Sequence, residues 1–398
     1  MTIRRSPDDF LVEEEHVDDA LAGLRAEPSA SHRHAVYELR KRSITTPQAV
    51  AYLAAALRAR PNDASFAGLK DRHASTVQLV SIGMRGGACV AGNVESRGWH
   101  ATLVGWSDRP VDSTWSRGNR FTIVVRDLDR VAAMEMDRRR EPLMRGAGVV
   151  VVNYFGAQRF GSARHGGGFA AKALLRGDFE TALKLLIGTP ARKDSGPTRA
   201  LNRACAEHWG DWRTVLANIP RVPEGRAVAA LAAGASFRDA FSTLPPFTQL
   251  MCVEAYQSHL WNTIARRLVR DRVPAEAILR ADDEFGEMLF PHASAIPDDL
   301  RNLTLPLLAP SSTIEPSIAA AVEATLADEG IALADLRIPG LRRPFFGDAP
   351  RPFLVEAERF DLSVPGTDEY APKRLRRTAR FALPRGAYAT VVLRALGQ

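Results

Sequence analysis

The segment NRFTIVVRD, residues 119–127, contains the pattern that decides the fold of the first part of this chain. Large apolar side chains stand at every second position, and Thr122 and Arg126 are among the residues between them. The apolar positions are Phe121, Ile123 and Val125. A period of two is typical of a half-buried antiparallel strand, which has one face on a core and the other towards solvent.

Further strand-like runs surround this segment within the first 160 residues. They are a polar/apolar run at 10–14, VYELRK at 36–41, TVQLVSI at 76–82 and VVVNYF at 150–155. A helix is predicted to begin near Thr46 and Pro47, because a threonine cap followed by proline at the first helical position is a common helix start. The first part of the chain is therefore expected to be α+β.

The middle of the chain has a different character from about residue 161. AAKALLRGDFETALKLLIG, at 170–188, and VEAYQSHLWNTIARRLVRD, at 253–271, repeat apolar residues at spacings of three and four, which predicts amphipathic helices. After residue 340 a strand-like pattern returns, in RPFLVEAERF, RTARFALP and AYATVVLRAL. Because β-rich segments bracket a helical middle, we expect one domain to be inserted into another.

The net charge of the chain favours a polyanionic partner, and its cysteines indicate a reducing compartment. The 53 Lys and Arg residues against 46 Asp and Glu residues leave a net charge of +7. Cys89, Cys205 and Cys252 are too far apart for a disulfide framework or a CxxC metal site. Because the chain also has no signal-peptide pattern and no apolar stretch of the roughly 20 residues that span a membrane, we expect a cytoplasmic protein that does not enter membranes.

Common enzyme signatures are missing from the sequence. The glycine-rich stretches at 86–92 and 166–168 have neither the GxGxxG spacing nor a Walker ending, and turns are the expected structure for both. The serines lie in no GxSxG element. The histidines show no HExxH spacing, so no metal site is predicted.

One acidic residue has neighbours that suggest chemistry. In FAGLKDRHASTVQ, residues 66–78, Asp71 lies between Lys70 and Arg72, and adjacent cations favour an ionised carboxylate. A surface turn with two salt bridges would have the same charges. The surrounding small residues favour a site, because they allow a planar ring or another backbone to come close.

A second cluster has the residue types that bind an unstacked base. VNYFGAQRFGSARH, residues 152–165, contains three aromatic rings, the amides of Asn153 and Gln158, and the cations Arg159 and Arg164. Aromatic faces stack on bases, amides pair with base edges and arginines bind phosphate. A buried aromatic strand end would have the same composition, so both interpretations stay open here.

Several long motifs resemble the TruD family of tRNA pseudouridine synthases. AGLKDRHASTVQ resembles GxKDxxAxTxQ, and NYFGAQRFG resembles NYFGxQRFG. Four shorter segments also match in the family's order: SPDDFLVEE, GNRFTIVVRD, EAYQSHLWN and PRGAYATVVLR. The matches cover nearly the whole chain. Two departures are a very short N-terminal extension and Ala395 in place of the final acid.

The resemblance implies an α+β fold and a discontinuous catalytic domain. That domain would comprise residues 1–161 and 338–398, built on a mixed, mainly antiparallel pseudouridine-synthase sheet. Residues 162–337 would form an inserted, helix-rich α/β TRUD domain. The implied activity is isomerisation of uridine to pseudouridine in tRNA, at uridine 13 of the D-arm, by a monomer without cofactor or metal.

The resemblance also assigns residues to the reaction. Asp71 is the catalytic carboxylate, which would attack C1′ of the ribose, abstract its 2′ proton or, in a third scheme, attack C6 of the uracil. The other expected roles concern the substrate. Arg4 pairs with Asp71, with Lys70 as its backup; Phe10 lines the pocket; Asn153 positions the nucleotide or the catalytic loop; Phe155 stacks on the uracil; and Gln158 and Arg159 support the site. For Arg4 and Phe10, a surface cation and a core aromatic are the alternatives.

Two other functions compete with this interpretation. An RNA-binding or chaperone protein of the same fold would have lost the aspartate, which is present here as Asp71. An RNA methyltransferase would need a cofactor-binding glycine loop, and no such spacing is found.

Overall fold

The computed structural model describes residues 2–29, 31–84, 92–163, 168–190 and 194–398. Cys89, Arg164 and most of both glycine-rich stretches lie outside these ranges. In chain order the strands are β1 (Phe10–His16), β2 (His34–Arg42), β3 (Ala64–Phe66), β4 (Ser75–Gly83), β5 (Asn93–Ser96), β6 (Trp99–Ser107), β7 (Ser116–Leu128), β8 (Met144–Arg145), β9 (Gly148–Val152), β10 (Ile278–Ala281), β11 (Met288–Pro291), β12 (Thr304–Leu307), β13 (Ala349–Pro352), β14 (Leu354–Leu362), β15 (Gly366–Asp368) and β16 (Ala371–Pro384).

The α-helices begin and end as follows. They are α1 (Asp18–Ala22), α2 (Thr46–Ala56), α3 (Arg130–Arg140), α4 (Ala170–Leu175), α5 (Phe179–Ile187), α6 (Gly196–Glu207), α7 (Trp212–Asn218), α8 (Gly225–Ala232), α9 (Phe237–Ser242), α10 (Pro246–Arg272), α11 (Asp298–Arg301), α12 (Pro316–Glu329) and α13 (Ala389–Ala395).

The chain divides into two compact units. The first unit comprises Met1–Val151, His292–Ser294 and Val355–Gln398, and the second comprises Val152–Pro291 and Ala295–Leu354. The first unit is thus discontinuous in the sequence. The domain division expected from the resemblance, with 162–337 inserted between 1–161 and 338–398, stays a prediction.

A twelve-stranded sheet forms the first unit, in the order β5-β6-β2-β4-β1-β7-β16-β14-β9-β8, with β3 beside β4 and β15 beside β16. Strands β1 and β4 pair in parallel. The pairs β1–β7, β2–β4, β2–β6, β7–β16 and β14–β16 are antiparallel. The sheet is therefore mixed and mainly antiparallel, as expected.

The alternation in β7 places one row of side chains in the core. Phe121 is 7% exposed, and Ile123 and Val125 are fully buried. The Phe10 ring on β1 meets the Phe121 ring edge to face, with centroids 6.2 Å apart. Arg126 departs from the pattern, because it is 4% exposed although it lies at an alternate position. Its partners are described with the site.

The parallel pairing of β1 and β4 joins two distant parts of the sequence. Leu11 lies opposite Ser75, and Val12 opposite Thr76. Because parallel strands have their amino ends at the same edge of a sheet, the segment before β1 and the loop before β4 meet there. Arg4 lies on the first of these segments and Asp71 on the second.

Two predictions about secondary structure were wrong. AYATVVLRAL forms the helix α13 instead of a strand, and five of the seven residues of this helix are buried: Ala389, Val391, Val392, Leu393 and Ala395. The strand expected at 150–155 ends at Val152. Beyond it, the main chain of Phe155 is hydrogen-bonded to the side chain of Asn262 on α10. In addition, Thr45 caps α2, one residue before the expected position.

The second unit consists mostly of helices. It contains α4 to α12 and two small antiparallel sheets, β10–β11 and β12–β13. The longest helix, α10, has 27 residues and includes the EAYQSHLWN motif. Among the described residues, no helix combines the length and the apolar character that crossing a membrane would require.

Candidate active site

Asp71 lies in the loop between β3 and β4, with its carboxylate held from two sides. Its Oδ2 accepts from Nη2 of Arg4 at 2.7 Å, and its Oδ1 accepts from the main-chain N–H of His73 at 2.9 Å. The Asp71 side chain is 26% exposed. The predicted ion pair with Arg4 is therefore present, on a carboxylate that remains accessible.

Arg4 is itself held in place by an aromatic ring. Its guanidinium carbon lies 4.4 Å from the centroid of the Phe10 ring, a cation–π contact. Phe10 is 4% exposed and packs against the core through Phe121. Phe10 thus lies beneath Arg4 and links the cation to the sheet.

Lys41 contacts the backbone of the loop that carries Asp71, a contact that the motif analysis missed. Its Nζ donates to the main-chain oxygen of Asp71 at 2.8 Å, and the residue is 2% exposed. Burial lowers the pKa of Lys41 to about 8, the charge of Asp71 opposes this shift, and the charge of Lys70 adds to it. The alternation of VYELRK was the available signal, since it places Lys41 on the buried face with Tyr37 and Leu39.

The buried amine of Lys41 leads to a pH-dependent prediction. Between about pH 8 and 10.5 the unfolded chain binds more protons at this residue than the folded chain, so stability due to Lys41 rises with pH. We expect the melting temperature of the wild type, relative to that of Lys41→Met, to increase as the pH rises across this interval. Other groups titrate alike in both proteins, so two parallel melting curves against pH would contradict the assignment.

Lys70 does not pair with the Asp71 carboxylate. Its ammonium group instead forms an ion pair with Glu14 on β1, and these side chains are 8% and 1% exposed. The Lys70 N–H donates to Oγ1 of Thr46 at 3.1 Å. The Thr46 hydroxyl in turn donates to Gln78, at 3.0 Å. The side chain of Lys70 thus fixes the loop to β1, and its backbone fixes the loop to α2.

The segment that carries Arg4 is attached to β7 at Arg126. Thr2 and Arg126 exchange backbone hydrogen bonds of 3.1 and 2.8 Å. The Arg126 guanidinium contacts Asp9 at 2.8 Å and Asp368 at 3.0 Å, and it also reaches Glu369. The hydrogen bond with Glu369 is the largest of the causes that raise the pKa of Arg126. This buried network sets where the N-terminal segment runs.

In the second unit, Phe155 is held through both of its main-chain groups. Its N–H donates to Oδ1 of Asn262 at 2.9 Å, and its oxygen accepts from Nδ2 of the same residue at 3.0 Å. The ring is 4% exposed, meets Trp261 edge to face, and has the guanidinium carbon of Arg351 4.0 Å from its centroid.

Hydrogen bonds and an ion pair also hold the neighbours of Phe155 in place. Arg351 donates to the main-chain oxygen of Asn153 at 2.9 Å and to its Oδ1 at 2.6 Å. Arg159 forms an ion pair with Glu254 at 2.8 Å and donates to Oγ of Ser258 at 3.3 Å. Gln158 is exposed. The structure therefore gathers Arg4, Phe10, Lys70 and Asp71 in the first unit, and Asn153, Phe155, Gln158 and Arg159 in the second.

Comparison with known proteins identifies the family. The family model described as tRNA pseudouridine synthase D (TruD) matches residues 1–396. The chain belongs to the TruD family. It is 28% identical to the tRNA pseudouridine synthase D of Aquifex aeolicus, with 99% of this chain and 97% of the relative covered. The "Probable tRNA pseudouridine synthase D" of Pyrobaculum aerophilum is 31% identical, with 98% and 91% covered.

A solved structure has the same fold. The crystal structure of a Methanosarcina mazei protein assigned to TruD superposes with a TM-score of 0.68 at 24% identity, and covers 99% of this chain and 92% of that protein. The fold expected from the motifs is confirmed. As a member of the TruD family, the chain is a tRNA pseudouridine synthase, an isomerase.

Two TruD motifs contact each other in the second unit. This contact gives the EAYQSHLWN motif a structural role. Glu254, Ser258 and Asn262 of EAYQSHLWN stand four residues apart on α10, and therefore on one helix face. That face binds the NYFGAQRFG segment at Arg159 and Phe155. The spacing of four was the signal that could have predicted this contact. Within the described ranges, no group of three or more His, Cys, Asp or Glu side chains is placed to hold a metal ion.

Proposed function

We propose that this enzyme isomerises uridine 13 in the D-arm of tRNA, with Asp71 acting on the ribose of a nucleotide that has left the base stack. The carboxylate of Asp71 carries the proposal. It is partly exposed, paired with Arg4 and oriented by the N–H of His73. Each carboxylate oxygen thus has one donor, which fixes the orientation of the group that the reaction requires.

The reaction exchanges one bond to the sugar for another. The bond from N1 to C1′ breaks, the uracil turns, and C5 forms a bond to C1′ while its hydrogen leaves as a proton; N1 then carries a proton. If Asp71 attacks C1′, the uracil leaves with its electron pair and later displaces the carboxylate. If Asp71 instead removes the 2′ proton, a glycal forms and is protonated again at C2′. Both routes, like attack at C6, start from an ionised Asp71.

The remaining residues support this step in the proposal. Arg4 supplies the counter-charge, Phe10 holds Arg4, and Lys70 fixes the loop through Glu14. Phe155 is assigned to stack on the uracil, which would take the place of the Arg351 guanidinium whose carbon lies 4.0 Å from the centroid of this buried ring.

Three further residues complete the proposed site. Asn153 positions the nucleotide or the catalytic loop, and Gln158 and Arg159 support the segment that carries Phe155. We propose that the enzyme acts as a monomer in the cytoplasm. We also propose that it uses no metal or cofactor, because the substrate gains or loses no atom or electron.

Tritium release from tRNA transcripts made with 5-tritiated uridine tests the proposal. Forming the bond from C5 to C1′ releases the label, whereas binding alone does not. We expect release from a wild-type transcript and none from the same transcript with cytidine at position 13. Full release from the second transcript would move the modified position, and no release from any tRNA would refute the activity.

A further inference from the structure

An exposed arginine and an exposed tyrosine form a contact in the first unit that the reaction above does not use. The guanidinium carbon of Arg5 lies 5.0 Å from the centroid of the Tyr370 ring, a cation–π contact. Arg5 is exposed, and Tyr370 is 49% exposed. Tyr370 lies in the turn between β15 and β16, and Arg5 directly follows Arg4. The contact therefore joins a distant hairpin to the segment that reaches Asp71.

The buried network around Arg126 holds Tyr370 in place. The Tyr370 N–H donates to Oδ1 of Asp368 at 3.0 Å, and Asp368 is fully buried. The guanidinium carbon of Arg126, which is 4% exposed, lies 4.6 Å from the centroid of the Tyr370 ring. Because the main chain and the ring of Tyr370 are both anchored, the ring is a fixed support for the Arg5 guanidinium.

The Arg5 guanidinium has unpaired hydrogen-bond donors. Among the described residues, no carboxylate pairs with it and no acceptor binds its N–H groups. A guanidinium carries five N–H donors in its plane, and stacking on a ring covers only its face. Glu369, which precedes Tyr370, is already paired with Arg126 at 2.8 Å and with Arg376 at 2.9 Å. Arg5 is thus an oriented cation whose donors are available to an anionic ligand.

The position of Arg5 beside Arg4 indicates which anion it meets. Arg4 lies over the Phe10 ring and pairs with Asp71 at 2.7 Å. The Cα atoms of Arg4 and Arg5 are about 3.8 Å apart. A nucleotide with its ribose at Asp71 carries a phosphate on each side of that ribose, at the 3′ and 5′ oxygens. A planar guanidinium binds a phosphate through two parallel hydrogen bonds.

We infer that Arg5, supported by the Tyr370 ring, binds an RNA phosphate next to the target uridine. This inference rests on the proposed function for the position of the ribose at Asp71. It divides the work of two consecutive arginines, because Arg4 pairs with the carboxylate and Arg5 binds the RNA backbone. Since the ring orients the guanidinium before the RNA arrives, less side-chain entropy is lost on binding.

Arg5→Gln tests the phosphate contact through its salt dependence. We expect affinity for tRNA to fall roughly tenfold, the effect of losing one charged hydrogen-bonded group. The slope of log Kd against log salt concentration should become shallower by about 0.7–0.9, the value for one phosphate. The kcat at saturating tRNA should stay within about twofold of the wild type. Filter binding at several salt concentrations and tritium release measure these quantities.

Arg58→Gln is the matched control. Arg58 is exposed, and among the described residues it has no acidic partner. It follows α2 at the end of that helix opposite Thr46, roughly 16 Å away along the axis. This variant also removes one exposed positive charge from the first unit, so it corrects for the change in net charge. Its affinity and its salt slope should match those of the wild type.

Substitutions at Tyr370 test the support for the guanidinium. Tyr370→Leu removes the ring and should weaken tRNA binding about as much as Arg5→Gln, whereas Tyr370→Phe keeps the ring and should bind like the wild type. Adding Arg5→Gln to Tyr370→Leu should weaken binding little further, because both changes remove one contact. Tyr52→Leu is the control, since Tyr52 is 54% exposed and no described cation lies over its ring. Melting curves show whether each variant is folded, and Arg5→Gln decides alone if Tyr370→Leu is not.

Uncharged methylphosphonate linkages locate the phosphate. One linkage is placed on the 5′ or on the 3′ side of the modified uridine in a ligated tRNA, and filter binding is measured. We expect one of the two linkages to weaken binding to the wild type and to Arg58→Gln. The same linkage should leave binding to Arg5→Gln unchanged, because that variant has already lost the contact.

Three results would overturn the inference. One is an unchanged affinity and salt slope for Arg5→Gln. Another is a fall in kcat without a change in affinity, because Arg5 would then serve only to position Arg4. A third is equal sensitivity of the wild type and Arg5→Gln to both linkages. Binding is measured apart from catalysis, so failure of the proposed reaction is seen separately, as absence of tritium release by the wild type.

Discussion

Asp71→Asn should abolish pseudouridine formation, with a fall in kcat of at least about a thousandfold. The amide has nearly the same shape but cannot act as a nucleophile or a base. Because the amide has a single oxygen, it can accept from Arg4 or from the His73 N–H but not from both, so one of these two contacts is lost. Because a negative charge near the RNA is removed, affinity for tRNA should stay within a few-fold of the wild type.

The measurement is single-turnover tritium release together with filter binding. Asp8→Asn is the matched control, since Asp8 is 62% exposed and contacts Arg42 at 2.7 Å at the same edge of the sheet. This control should retain activity. Turnover of Asp71→Asn close to that of the wild type would remove Asp71 from the chemistry.

Arg126→Met should cause the largest loss of stability among single changes in the first unit. It leaves Asp9, 2% exposed, and Asp368, fully buried, without their cation. Breaking a buried ion pair from one side costs about 3–5 kcal/mol, which would lower the melting temperature of a unit of this size by roughly 10 °C. Activity should fall as well, because the segment that carries Arg4 loses its attachment at Asp9.

Arg120→Met is the matched control on the same strand. Arg120 pairs with Glu13 at 3.2 Å, but its side chain is 56% exposed, and exposed pairs contribute about 0–1 kcal/mol. Differential scanning calorimetry of both variants compares a buried and an exposed arginine in one β-strand. Equal melting temperatures would show that the Arg126 network does not stabilise the unit.

The local sequence pattern predicted most strands of the sheet. It failed where contacts with residues distant in the sequence determine which side chains are buried. The alternation of NRFTIVVRD predicted β7 and its buried row, yet it placed Arg126 among residues facing away from the core. The partners that allow Arg126 to be buried, Asp9 and Asp368, are 117 and 242 residues away. No local pattern contains that information.

The helix α13 shows the same limit. Its sequence, ATVVLRA, has β-branched residues typical of strands, and it was assigned to a strand on that basis. Five of the seven helix residues are buried, three of them consecutive, so packing around most of the helix overrides the local preference.

Only part of the candidate site could be predicted from the sequence. Its central pair, Arg4 and Asp71, came from resemblance to a family, since residues 67 positions apart share no local signal. Lys41 could have been found from strand alternation and Asn262 from its spacing of four on a helix.

The position of β16 beside β7 also has a consequence for protein synthesis. The contact from Arg126 to Asp368 spans 242 residues, which a ribosome takes on the order of 10 to 50 seconds to add. During that time the emerging β7 has an unpaired edge rich in aromatic and aliphatic side chains, the kind of edge that binds other chains. We expect nascent molecules of this enzyme to expose this edge until β16 has been made, so scarce chaperones should reduce the yield of active protein.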